Sequence, residues 1–208
     1  MSDAAGYYGI GNSATYVYAR WTIPQTQSCP SSGQTAAAFA VELTGNTAAY
    51  AEQVGTVSGC DNGNPFYFAY IDGPGTTVTY YAIPHVGDLI EAHITYSTSS
   101  HNSVYYLKDL TTGTVATKTV NYYNPYLYNA AWVVLSGCVG GCSSGPDPLT
   151  NFGSVHFTYA LGTVNGASQY VNNMADVWKV SMVVSPYTLA YPSNLGSSGS
   201  FTIYWNHA

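Results

Sequence analysis

Short runs in which apolar and polar residues alternate, or in which β-branched and aromatic residues crowd together, recur along the whole chain. They read TYVYARWTI at 15–23, AAAFAVEL at 36–43, AYAEQVGTV at 49–57, FYFAYI at 66–71, TVTYYAI at 77–83, LIEAHITYS at 89–97, SVYYLKDL at 103–110, GTVATKTVNYY at 113–123, NAAWVVL at 129–135, GSVHFTYA at 153–160, VWKVSMVV at 177–184 and SFTIYW at 200–205. A period of two puts successive side chains on opposite faces of a strand. About a dozen such runs separated by Gly, Pro, Asn, Asp and Ser predict an all-β sandwich of two antiparallel sheets, with no helix needed. The Thr-Thr-Gly of KDLTTGTV predicts a hairpin between two alternating runs. No repeat and no linker divides the chain, so residues 1–208 read as a single domain.

Composition agrees, with 21 Tyr, 21 Gly and 10 Pro in 208 residues and only 7% charged residues. Four basic residues, Arg20, Lys108, Lys118 and Lys179, stand against ten acidic ones. The positive charge that neutralises phosphates is missing, which makes nucleic acid and anionic membranes poor partners. A surface of Tyr, Ser, Thr and Asn changes little in charge as pH falls, and so suits acid surroundings. No run of 18 apolar residues exists to span a membrane. The opening MSDAAGYYG has neither the basic start nor the apolar stretch of a secretory signal, and the chain is read as an exported protein whose leader has been removed.

Four cysteines in loop-like settings, Cys29, Cys60, Cys138 and Cys142, argue for two disulfides, Cys29–Cys60 and Cys138–Cys142, and an oxidising compartment. Their spacing does not suit zinc. The histidines at 85, 93, 101, 156 and 207 are scattered with no ligand spacing. Asp61, Asn62, Asn64 and Asp147 could offer oxygens to Ca²⁺, but turn chemistry explains them equally well. Neither metal nor cofactor is expected. Tyrosine clusters such as VYYLKD and VNYYNPYLYN either stiffen a sheet or form faces for stacking and subunit contact.

Several segments in the same order resemble the glutamic peptidases, or eqolisins, over nearly the whole chain. RWTIP at 20–24, EQVGT at 52–56, PLTNFGSVHF at 148–157, TVNG at 163–166 and GSFTIYW at 199–205 carry the likeness. It implies a concanavalin-like, eqolisin-type sandwich. The resemblance also implies a site in which a Glu acts as general base on water while a Gln helps to place that water and to stabilise the oxyanion. Gln53 occupies the family Gln position, whereas Ala131, in NAAWVVL, occupies that of the Glu.

Other cleft positions depart as well. Ala40 and Thr44, in AVELTG, stand for a Trp and an Asp, with Glu42 at a Gly between them. Ala69 and Ile71 stand for a Trp and a Glu, and Ala4 for a further Trp. Alternation turns Glu52 away from the face of Gln53. Glu42 reads as one residue off the face that held the Trp and Asp, with a shifted register as the way to bring it in. The resulting expectation is an exported, non-catalytic member of the fold, with a structural or binding role. It would pack against itself or another extracellular protein through Tyr-rich faces, or accept a strand from a neighbour. The alternatives are a secreted acid glutamic endopeptidase, inactivated at Ala131 or using another base, and a carbohydrate-binding module.

Overall fold

The computed structural model describes residues 3–45, 51–74, 79–81, 84–137 and 147–206. Its strands in chain order are β1 (Ala4–Gly9), β2 (Ala14–Thr22), β3 (Gln34–Thr44), β4 (Glu52–Asp61), β5 (Asn64–Asp72), β6 (Thr79–Tyr81), β7 (Leu89–Ser97), β8 (Asn102–Asp109) and β9 (Val115–Asn121). They continue with β10 (Asn129–Ser136), β11 (Ser154–Val164), β12 (Ala167–Tyr170), β13 (Val177–Val180), β14 (Met182–Val184), β15 (Tyr187–Pro192) and β16 (Phe201–Trp205). Every pairing between them is antiparallel.

The strands form two sheets. One runs β13-β1-β10-β3-β4-β5-β6, and the other runs β14-β15-β16-β11-β2-β7-β8-β9, with β12 added on β11. Alternation decides what lies between them. Val17, Ala19 and Trp21 of β2 face inward with Ile90, Ala92 and Ile94 of β7, against Phe39, Val41 and Leu43 of β3 and Trp132 and Val134 of β10. The buried indoles still find partners: Trp21 Nε1 donates to Thr56 Oγ1 at 2.9 Å and Trp132 Nε1 to the Tyr18 carbonyl at 2.8 Å.

The all-β sandwich is as the alternation predicts, and single-turn 3-10 segments at Val171–Asn173 and Ser197–Gly199 are its helical elements among the described residues. Three strands escape the pattern. β1 reads AAGYYG and lies between two neighbours, nearly buried on both faces, so it carries no alternation. β12 and β15 are short and polar on the sheet edge or beside it. The run 177–184 is not one strand: its first half pairs in one sheet and its second half in the other.

The hairpin at KDLTTGTV forms as expected, with the Asp109 carboxylate accepting from the amides of Thr111 and Thr112 at 2.8 and 3.1 Å. A second tight hairpin joins β4 to β5 through Asn62 and Gly63, both with positive φ, and Asp61 pairs with Asn64. Asn62 Oδ1 accepts from the Gly33 amide, and Asn64 Nδ2 donates to the carbonyls of Asp61 and Asn62, so this segment works as a turn.

Cys29 and Cys60 are joined across 31 residues of sequence, while Cys138 and Cys142 lie outside the described residues. A loop of that length contributes about 3–4 kcal/mol by restricting the unfolded chain. The Cys29→Ala, Cys60→Ala double variant should therefore lose about that much in denaturant unfolding.

Candidate functional site

The face of the seven-stranded sheet that points away from the core carries the site. Directly opposite residues on antiparallel neighbours share a face. Across six strands the register reads Trp178, Tyr8, Ala131, Glu42, Gln53, Asp72. Glu42 thus stands immediately between Gln53 and Ala131, and Asp72 stands on the far side of Gln53. The next line of the same face reads Val180, Gly6, Val133, Ala40, Gly55, Tyr70. It is a floor of small residues closed on one side by a Tyr. A Cβ on Gly55 would run into the carbonyl of Phe39, so the close approach of β3 and β4 beside Gln53 requires glycine.

Of these residues Trp178, Tyr8, Glu42, Gln53 and Val180 line a groove of about 560 Å³, together with Thr44 and Asn129 among others. Trp178 stands on its rim, 64% exposed. Glu42 is 3% exposed, and its Oε1 has no hydrogen-bond partner among the described residues. Burial, reinforced by the negative charge of Asp72, pushes its carboxyl up to about 8. Asp72 is also raised by burial, but the Gly73 amide and the Lys118 ammonium pull it back. Glu42 has no such counterweight. The two acids flanking Gln53 are therefore unequal, and over an interval of pH one is ionised while the other keeps its proton.

The amide of Gln53 is oriented by its neighbour: Tyr70 donates from its hydroxyl to Gln53 Oε1 at 3.3 Å. That leaves the Nε2 hydrogens of Gln53 for the groove. The proximity of the two acids in turn raises the Tyr70 hydroxyl, whose burial already keeps it neutral.

Three expectations about this face need correction. Glu42 is on the face of Ala40 and Thr44, since residues 40, 42 and 44 share a parity that the pairings preserve. Ala69 and Ile71 are not cleft positions. Both lie in the core between the sheets, while Tyr70 and Asp72 take the groove face. A carboxylate is thus present where Ile71 implied its loss. Ala4 and Ala131 do cluster on the groove face with Val133, and Ala40 lies beside Tyr70. Glu52 is turned away from Gln53 as alternation requires, buried between the sheets with Asn124 Nδ2 donating to it at 3.3 Å.

Asp72 was readable from the sequence. Asn-Gly at 62–63 is a strong two-residue hairpin signal. Counting outward from it pairs residue 61 with 64 and hence 53 with 72. Among the described residues, no group of three or more His, Cys, Asp or Glu is placed to hold a metal ion, and no helix is long and apolar enough to cross a membrane.

A twisted two-sheet sandwich whose outer groove gathers carboxyl groups around a strand-borne Gln defines a glutamic-peptidase type of architecture. The chain belongs to the peptidase A4 family, whose model matches residues 2–203. Among solved structures it is similar to scytalido-glutamic peptidase with a transition state analog inhibitor, at 21% identity and a TM-score of 0.81 over 99% of this chain and 98% of that one. It is also similar to SCP-B, an eqolisin in complex with the tripeptide Ala-Ile-His, at 21% identity and a TM-score of 0.77 over 99% and 98%. The aspergilloglutamic peptidase of Aspergillus niger matches at 22% identity and a TM-score of 0.68, over 82% of this chain and 99% of that one. No curated protein matches the chain.

Proposed function

We propose that the protein is a peptide hydrolase in which the carboxyl group missing at Ala131 has moved one strand across the sheet, to Glu42. The observation that carries this reading is the register Ala131, Glu42, Gln53, Asp72 on the groove face. A Glu at the family's Gly position and an Ala at its Glu position are neighbours in space. Together they keep one carboxyl beside the Gln.

Unequal acids give the two halves of general acid–base catalysis. The Asp72 carboxylate takes a proton from water as the water oxygen bonds to the peptide carbon. The protonated Glu42 gives its proton to the carbonyl oxygen, and Gln53 Nε2 donates a hydrogen bond to that oxygen as charge develops. The tetrahedral diol collapses when Asp72 returns its proton to the amide nitrogen and the C–N bond breaks. Glu42 recovers its proton from the remaining hydroxyl. The sum is one water added and one peptide bond lost. Tyr8, Trp178 and Val180 line the groove beside Glu42 and Gln53, where an extended peptide could lie.

A second reading, an exported non-catalytic protein that binds or assembles, draws on Ala131 and on the proton that Glu42 retains up to about pH 8. The Cys29–Cys60 disulfide supports export on either reading. Exposed rings such as Tyr123, Tyr159, Tyr187 and Tyr191 support contact with a further extracellular subunit.

Incubation of the purified protein with an unfolded polypeptide from pH 2 to 8, followed by mass spectrometry, separates the two readings. Cleavage by the wild-type chain is the expected result. A protein that cuts only after Ala131→Glu is introduced would instead be a silenced member of the family.

A further inference from the structure

The opposite face of the molecule carries a cluster that the groove chemistry does not use. On the outer side of the nine-stranded sheet, Tyr16, Tyr18, Arg20, Tyr159, Leu161 and Tyr170 line a hollow of about 390 Å³. Arg20 is the sole arginine of a chain with four basic residues, and it is held on every side. Its Nε and Nη2 donate to Glu91 Oε2 at 2.9 and 2.6 Å, and Tyr18 donates its hydroxyl to the same oxygen at 2.9 Å. The guanidinium lies over the rings of Tyr18 and Tyr159, 5.9 and 5.4 Å from their centroids. Among the described residues no hydrogen bond is made by Arg20 Nη1 or by Glu91 Oε1, so the pair keeps donor and acceptor capacity beyond the bonds it makes to itself.

The backbone is distorted to complete this arrangement. Between Thr158 and Leu161 of β11 there are two residues where β2 has one, which makes a bulge. Tyr159 sits in it at φ 56, a left-handed conformation that a bulky aromatic residue rarely adopts. The bulge turns Ala160 into the core and presents the Tyr159 ring outward, 46% exposed, over Arg20. Strain of this kind is retained where the surroundings over-determine it, often at binding sites. Further along the sheet, His93 stacks on Tyr106 at 4.7 Å and faces Tyr18 at 6.5 Å, extending the aromatic surface across three strands.

We propose that this hollow binds an uncharged oligosaccharide. Three features select that class. The charge of Arg20 is matched by Glu91, so no net charge is offered to an anionic or cationic ligand. The Arg20–Glu91 pair keeps an N–H donor and a carboxylate acceptor for the hydroxyls of a sugar, which both accept and donate. The exposed ring of Tyr159 and the half-buried rings of Tyr16, Tyr18 and Tyr170 supply apolar faces for the C–H side of a sugar ring, with hydroxyl tips at their edges. A proline-rich peptide would use the rings and could accept from Arg20, but its prolines have no N–H to donate to Glu91.

The test is titration of the full chain at pH 5 with neutral gluco- and manno-tetraoses, followed by intrinsic fluorescence and by NMR shifts of the Tyr rings. Saturable binding is expected, weakened at least tenfold in Glu91→Gln and in Tyr159→Gly, and unchanged in Tyr187→Ala on the distant β15. Tyr159→Gly is the informative variant because glycine adopts positive φ without strain, so its melting temperature should hold or rise while binding is lost. Three results would overturn the proposal: no saturable response to any tetraose up to about 10 mM, wild-type affinity in Tyr159→Gly, or binding of a proline-rich peptide with no response to the sugars.

Discussion

Replacing Glu42 by Gln is expected to lower peptide cleavage on the order of 10² to 10⁴-fold, the usual contribution of a positioned acid or base. The amide keeps the shape and a hydrogen-bond donor but cannot release a proton. The loss should appear in kcat more than in KM, since in the proposed chemistry Glu42 acts on the oxygen where charge develops and not on the remote parts of a substrate. Asp72→Asn should produce a similar loss and remove the acid limb of the pH–rate profile, while Glu42→Gln removes the alkaline limb. The alkaline limb depends on both acids, because the negative charge of Asp72 across Gln53 helps to hold the proton on Glu42. Wild-type rates in Glu42→Gln would defeat the proposed chemistry outright.

The same carboxyl should make the fold less stable as pH rises. Glu42 is raised from 4.5 to about 8 in the folded chain, so the folded state holds its proton more tightly than the unfolded one. Its contribution is complete below about pH 4.5, declines as pH climbs, and is fully lost above about 8, a change on the order of 4 kcal/mol. Glu52, raised by burial between the sheets, acts in the same direction. Glu91 and Asp109 oppose it at the acid end, for hydrogen bonds hold both below their ordinary values and their contributions disappear as pH falls through those lowered values. His93, lowered by burial, also opposes the trend near neutrality.

The balance places the stability maximum near pH 4 to 5, with the melting temperature falling on the order of 10 °C by pH 8. Calorimetry across that range checks it. Glu42→Gln should abolish most of the fall and be more stable than wild type at pH 7 to 8, while being inactive. A flat profile would mean that Glu42 is not desolvated.

Much of this was legible in the sequence, and the exceptions have physical causes. Half-buried strands such as β7 and β8 alternate cleanly, and so reveal both their existence and their faces. β1 did not, since a strand buried on both sides has no polar face to mark it. Gln53 was recognisable from its motif. Glu42 and Asp72 were not, because a site built across strands depends on register, and one residue of slip exchanges the two faces of a strand. Reading Ile71 into the cleft was that slip. The parity of 40, 42 and 44 and the Asn62–Gly63 turn contained the missing information, but both require counting across a sheet and not along a motif.

The stretch from Val177 to Val184 joins the two sheets without a connecting loop of any length. Trp178 is the outermost member of the line that carries Glu42 and Gln53, and Met182, four residues later, is 1% exposed in the packing of the opposite sheet. One short piece of chain therefore rivets the lip of the groove to the far layer. Opening the groove would mean sliding one layer over the other and disturbing the interior, so the slot should keep its width and sort polypeptides by how extended they already are.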